Sequence, residues 1–165
     1  MLPILAIAEN HAASFHTCLD TVAREKRYLA QTEAPALAKI EDFIRQSVAD
    51  DAVQFVAVDG GRVVGWADVF PAWAQAVAHC GALGMGVLPS HRGQGIGKRL
   101  LQACIDKAWR KGLTRIELEA RADNKAAIRL YESKGFVHEA LMCQAMRFDG
   151  VYFDAVLMSL VRREA

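Results

Sequence analysis

The chain has 165 residues, enough for one domain that buries roughly two-thirds of the surface its unfolded form exposes. Its 20 Lys and Arg against 19 Asp and Glu leave a net charge of +1, which excludes the basic field that gathers nucleic acid or an anionic membrane. Residues 1–165 are read as a single domain whose partner is small or is recognised by local contacts.

The opening Met1-Leu-Pro-Ile-Leu-Ala-Ile-Ala8 lacks a basic start and is too short for a secretion signal, so it reads as a first strand. The longest apolar run, around Cys80 to Pro89, falls far short of the ~20 residues that span a bilayer. A cytoplasmic protein without a membrane anchor is expected. Cys18, Cys80, Cys104 and Cys143 stand apart, with no Cys-x-x-Cys and no His at metal spacing. They read as four buried thiols, and neither a metal nor a disulfide framework is expected.

Glu9 to Tyr28 carries a helical pattern through Phe15, Leu19 and Val22, ended by Arg24-Glu-Lys-Arg27. Pro35 introduces a second helix from Ala36 to Ala49, striped by Leu37, Ile40, Phe43, Ile44 and Val48. Val53 to Val58 and Arg62 to Phe70 read as an antiparallel hairpin across Asp59-Gly60-Gly61. A loop or short helix with Trp73 follows, and His79 to Leu88 reads as a strand interrupted by Gly81, Gly84 and Gly86. Gly95 to Lys111 has the stripe Ile96, Leu100, Cys104, Ala108, with Gly112 placed to end the helix. Thr114 to Ala120 alternates as a strand, with Ile116, Leu118 and Ala120 facing one way and Arg115, Glu117 and Glu119 the other. Asp123 or Asn124 caps a helix through Lys134, stopped by Gly135. Phe136 to Arg147 and Val151 to Leu160 close the chain as a hairpin across Asp149-Gly150, a type I′ dipeptide. Strands and helices in this order give a mixed sheet covered by helices, an α/β or α+β domain.

The stretch Val87-Leu-Pro-Ser-His-Arg-Gly-Gln-Gly-Ile-Gly-Lys98 places three glycines at alternate positions just where a helix begins. Glycines let the backbone approach a ligand, and the unpaired N–H groups of a helix start hold anions such as phosphate. A nucleotide P-loop is excluded, because Arg99 follows Gly97-Lys98 where a hydroxyl should be. A dinucleotide fingerprint is excluded as well, because Lys98 stands where its third glycine belongs.

Arg92-x-x-Gly95-x-Gly97 after Val87-x-Pro89, followed by Asn124-x-x-Ala127-x-x-Leu130-Tyr131-x-x-x-Gly135-Phe136, resembles the coenzyme A loop and the next motif of the GNAT superfamily of N-acetyltransferases. The resemblance is tightest from Leu83 to Phe136. It implies a mixed, mostly antiparallel sheet of about seven strands flanked by about four helices. It also implies that acetyl-CoA is the co-substrate, its pyrophosphate on the N–H groups of Arg92, Gly93, Gln94, Gly95, Ile96, Gly97 and Lys98. Its pantetheine would lie along the main chain of Leu83, Met85 and Val87, with Gly84 and Gly86 fitting a bulge that parts this strand from the next. Asn124, Ala127 and Tyr131 share a helix face toward the same ligand.

On spacing alone Tyr131 reads as readily as a core aromatic. In the matching family position a tyrosine protonates the departing thiolate, and a phenol is a credible proton donor to a thiolate of pKa around 8.5 or higher. An alkylammonium must also lose a proton before it attacks a thioester. Glu119 is the candidate base, since its spacing to Tyr131 resembles the Glu/Tyr pair of ribosomal-protein alanine acetyltransferases. Glu117 and His79 are the alternatives. Main-chain N–H groups near Met85 would hold the oxyanion.

The acceptor is expected between the N-terminal helices and the last hairpin, where Glu25, Tyr28 and Tyr152, with Glu33, Phe148 and Asp154, could make an acidic and aromatic pocket for a cationic amine. A small amine, an amino-acid-like or antibiotic-like compound, and a peptide N-terminus all stay open. So do a homodimer and a protein that senses acetyl-CoA without turning it over.

Overall fold

The apolar opening forms less strand than its pattern allows: β1 is only Ile4–Ala6 in the computed structural model, which describes residues 1–163. The helical pattern from Glu9 divides into a 3-10 turn over Glu9–His11 and helix α1 over Ala12–Ala23. Helix α1 stops where the charged Arg24-Glu-Lys-Arg27 stretch loses the apolar stripe and Lys26 takes a φ of +50°. Helix α2 spans Leu37–Ala49, just past Pro35. A hairpin of β2 (Val53–Asp59) and β3 (Arg62–Pro71) follows, then β4 (Cys80–Val87), α3 (Ile96–Arg110), β5 (Arg115–Arg121) and α4 (Lys125–Glu132). Strands β6 (Val137–Phe148) and β7 (Val151–Val161) end the chain, joined at Asp149 and Gly150 with φ of +48° and +85°, as a type I′ turn requires.

The seven strands form one sheet in the order β1-β2-β3-β4-β5-β7-β6. Neighbours are antiparallel except β4 and β5, which are parallel because α3 carries the chain back across the sheet between them. This is the mixed, mostly antiparallel sheet with four helices that the motifs imply.

Two apolar clusters fix the layers. On one face Leu100, Leu101 and Cys104 of α3 and Ile128 and Tyr131 of α4 meet Ala67, Val69, Ile116 and Leu118 of the sheet. On the other, Phe15, Leu19 and Val22 of α1 and Ile40 and Ile44 of α2 cover Val56, Val63 and Trp66. Alternation along β3 therefore turns Trp66, Asp68 and Phe70 toward α1 and α2.

The β6–β7 ladder slips between Met142 and Met146, where Gln144 has a φ of +51° and its N–H donates to the Asp154 carboxylate at 2.8 Å. The alternating pattern of the hairpin gives no sign of this bulge. Nor are all four thiols buried: Cys18 and Cys104 are, Cys80 is partly covered, and Cys143 is exposed. Strand β6 is the sheet's edge and most of it stays open to solvent, which explains Cys143.

Candidate active site

Strands β4 and β5 pair only over Cys80–Ala82 and Arg115–Glu117; beyond, they part and leave a gap. The expected parting of β4 from the next strand is therefore present, but the β3–β4 register runs unbroken from Gly65↔Val87 to Pro71↔Gly81, so Gly84 and Gly86 make no bulge against β3. Those glycines have another cause. Trp66 lies opposite Gly86 and Asp68 opposite Gly84, and their side chains lean across: a Cβ on Gly86 would stand 2.4 Å from the Trp66 ring, and one on Gly84 3.1 Å from Asp68 Oδ1.

The phase of this ladder decides which main-chain groups are free. The Cys80 carbonyl accepts from Ala72 N–H and Leu88 N–H donates to the Val64 carbonyl, both at 2.9 Å, so the even residues of β4 bond to β3. The N–H and C=O groups of Leu83, Met85 and Val87 consequently turn toward the gap, although the Val87 carbonyl is taken by Arg92 Nε at 2.8 Å.

At the end of β4 the chain turns through Pro89–His91 and then through Gly93 and Gly95, whose φ values are +73° and +76°. A side chain in that region costs roughly 1–2 kcal/mol, so glycine suits both positions. None of the N–H groups from Gly93 to Lys98 has a partner among the described residues; the first helical bond of α3 is Arg99 N–H to the Gly95 carbonyl, at 3.2 Å. A run of unpaired N–H groups at a helix start is what an anionic phosphate group requires. Arg92 stands outside this run. Its N–H already donates to the Pro89 carbonyl at 3.4 Å, and its guanidinium is held bidentate by Glu25 at 3.0 and 2.5 Å.

Three cavities meet here. One, of about 450 Å³, runs from the glycine cradle and Lys98 along Met85, Gly86 and Val87, with Asn124, Ala127, Leu130 and Tyr131 as its far wall. Asn124 caps α4 by accepting the Ala127 N–H at 3.3 Å, which fixes the small Ala127 toward the cavity. A second, of about 350 Å³, fills the β4–β5 gap between Leu83, Glu117, Glu119, Tyr131 and Met146. The third, of about 520 Å³, lies between β3 and helices α1 and α2. Leu29 and Met85 line all three.

Tyr131 is buried against Phe136, with ring centroids 5.8 Å apart, yet it borders both the first and second cavities. Burial pushes its phenol up to about 12, so it stays a protonated donor at neutral pH. Glu119 faces the gap and forms no salt bridge among the described residues. Glu117 borders the same gap but is held by Arg115 at 3.2 Å, a guanidinium it shares with Glu139 at 2.6 Å. His79 is exposed ahead of β4 and lies outside this lining.

The acceptor pocket expected from Glu25, Tyr28 and Tyr152 is not assembled. Tyr28 borders the first and second cavities, but Glu25 is committed to Arg92, and Tyr152 is 52% exposed beneath the Arg147 guanidinium and outside the lining. Glu33 lies near Arg24, and Asp154 holds the β6 bulge. Phe148 belongs to a different group: the buried Arg121 guanidinium sits 3.9 Å from the Phe153 ring centre, 5.9 Å from Phe148 and 5.7 Å from Tyr28. Asp123 holds Arg121 bidentate at 2.6 and 2.8 Å, so this cation fixes Tyr28 at the rim.

Sequence patterning also misses Asp68, a carboxyl on the inward face of β3 with no side-chain partner among the described residues. Burial pushes it up to about 7, opposed only by the Gly84 N–H. The fold thus favours the neutral acid, and Asp68 adds stability that is fully present below about pH 4 and lost as pH rises through 7. Asp68→Asn is expected to melt later than wild type at pH 8 by roughly 2 kcal/mol of stability, with the difference closing toward pH 4. Thermal melts of both proteins across that range test it.

A family model described as the acetyltransferase (GNAT) family matches residues 15–136. The chain belongs to the GNAT family. It is 36% identical over 106 residues to mycothiol acetyltransferase of Renibacterium salmoninarum, covering 61% of this chain and 31% of that protein. It is 37% identical over 102 residues to N-alpha-acetyltransferase RimI of Mycobacterium tuberculosis, covering 62% of this chain and 61% of the relative. Both matches span less than two thirds of the relative's length. The structure of a GNAT phosphinothricin acetyltransferase from Sinorhizobium meliloti, in complex with acetyl-CoA, superposes with a TM-score of 0.88 at 19% identity over 98% of this chain and 88% of that one. The GNAT match takes in α2, β4, the cradle and α4, and stops before β6 and β7.

Proposed function

We propose that this GNAT chain transfers the acetyl group of acetyl-CoA to a primary amine by direct attack within a ternary complex, acting in the cytoplasm without a metal. The observation that carries the reading is the continuity of open main chain: free N–H groups from Gly93 to Lys98 lead straight to the edge of β4 at the Val87 N–H and Met85, down to Leu83 beside the last rung with β5. The cradle takes the pyrophosphate, and the β4 edge takes the pantetheine amides as an added strand would. The thioester then lies near Met85, where the three cavities meet.

Three roles follow for this chain's own groups. Glu119 removes a proton from the incoming ammonium, directly or through water. The Met85 N–H is placed to stabilise the oxyanion when the nitrogen attacks the carbonyl. Tyr131 gives its proton to the thiolate as the carbon–sulfur bond breaks. No covalent enzyme intermediate is needed, since binding both substrates side by side supplies the orientation. The acceptor is a small amine or an amino-acid-like or antibiotic-like compound. The name of the Mycobacterium tuberculosis relative favours a peptide N-terminus as the second reading.

Acetyl-CoA and free CoA should both raise the melting temperature. At a hundredfold excess over Kd the gain is about 2.7 kcal/mol, or roughly 5–10 °C for a domain of this size. No shift with either ligand removes the assignment. A shift without thiol release across amines and peptide N-termini leaves a sensor rather than an enzyme.

A further inference from the structure

The third cavity is unlike the other two. Its walls are apolar and aromatic, from Phe15, Trp66, Phe70 and Phe43, the last two with ring centres 5.5 Å apart. Asp68 is the only carboxylate in its lining, and the exposed Lys39 is the only cation. Asp68 has only the Gly84 N–H as a partner. Gln54 pairs directly with it across β2 and β3, and both polar atoms of its fully buried carboxamide lack a hydrogen bond among the described residues. Pleating puts Gln54, Asp68 and Gly84 in one row on the same face. Buried carboxyls are ordinarily well satisfied, so Asp68, with one N–H partner and no countercharge from the Gln54 amide behind it, points to a cationic ligand in the cavity that it lines.

We propose that this cavity is the acceptor pocket, and that it takes a primary monoamine on an apolar or aromatic body, its nitrogen received by Asp68. The proposal rests on the acetyl-transfer reading above and specifies its acceptor. The geometry is suited to it: Asp68 lies opposite Gly84, next in the chain to Met85, where this cavity opens onto the thioester's place. The aromatic walls hold the body of the amine by burial of apolar area. Lys39 disfavours an acceptor with a second positive charge, so polyamines should bind more weakly than monoamines.

Purified protein should be titrated with 2-phenylethylamine, hexylamine, spermidine and a peptide with a free N-terminal alanine, in saturating acetyl-CoA, following thiol release. Turnover of 2-phenylethylamine and hexylamine with KM at least tenfold below those of spermidine and the peptide is expected. Asp68→Asn should raise KM for 2-phenylethylamine tenfold or more, change kcat less than fivefold, and keep the acetyl-CoA melting shift. Phe43→Ala should raise KM for 2-phenylethylamine but not for ethylamine. In wild type, KM should fall as pH rises through about 7, where Asp68 ionises; the other titratable groups around it are Lys39 of α2 and the Cys104 thiol behind the sheet. The Asp68→Asn profile should lack that step. Preference for spermidine or the peptide, or an unchanged KM in Asp68→Asn, overturns the proposal while the acetyl-CoA shift stands. Loss of the acetyl-CoA shift in wild type overturns the transfer reading, and this proposal with it.

Discussion

Replacing Tyr131 with Phe should lower kcat by about 10²–10⁴-fold and leave acetyl-CoA binding nearly unchanged. The substitution removes one hydroxyl and keeps the ring, which is 7% exposed and packed on Phe136, so the wall of the cavity survives. What the proposed mechanism loses is the proton for the leaving thiolate. A phenol pushed up to about 12 is a weak acid in bulk terms. The thiolate leaves into the same apolar surroundings, however, and the same desolvation raises its basicity, so the transfer is better matched than solution values suggest. An alkaline limb of the rate profile below pH 10 would therefore belong to another group. Steady-state thiol release beside acetyl-CoA melting shifts separates the roles: a kcat within threefold of wild type removes Tyr131 as the acid, and a lost shift makes it a structural residue.

The parts of this site that belong to single elements were legible in the sequence, and the parts made by two distant segments were not. The cradle is visible because Gly93, Gly95 and the start of α3 are contiguous, and the face of α4 because Asn124, Ala127 and Tyr131 repeat at helical spacing. Glu25 and Arg92 are 67 positions apart, and no pattern in either neighbourhood announces that they pair. Their pairing converts an expected acceptor residue into a strut between the end of α1 and the glycine loop. Asp68 did leave a trace, since a carboxylate between Trp66 and Phe70 on a buried strand face breaks the apolar alternation. Gln54 leaves a weaker one, and only the β2–β3 register brings the two together. Gly84 and Gly86 show the same limit from the other side. Their composition signals that something comes close, and the register with β3 identifies it as side chains of the neighbouring strand.

That assignment makes Gly86→Ala a substitution expected to destabilise the fold strongly for one added methyl. Its methyl carbon would stand 2.4, 2.7 and 3.0 Å from three carbons of the Trp66 ring, and Trp66 cannot swing aside freely. The indole is 4% exposed, edge-on to Phe15 at 5.8 Å, within the cluster that holds α1 and α2 to the sheet. Overpacking of this kind costs about 3 kcal/mol, a drop of roughly 6–12 °C in Tm. Gly84→Ala is the contrast: its methyl would meet Asp68 Oδ1 at 3.1 Å, the end of a side chain that can rotate toward the cavity, so a loss below about 1 kcal/mol is expected. Trp66→Leu should recover part of the Gly86→Ala loss in the double variant, because it removes the ring that the methyl strikes. If Gly86→Ala melts with wild type, the close approach of Trp66 is not what requires glycine there. The β4 edge would then owe its glycines to the ligand proposed to lie along it.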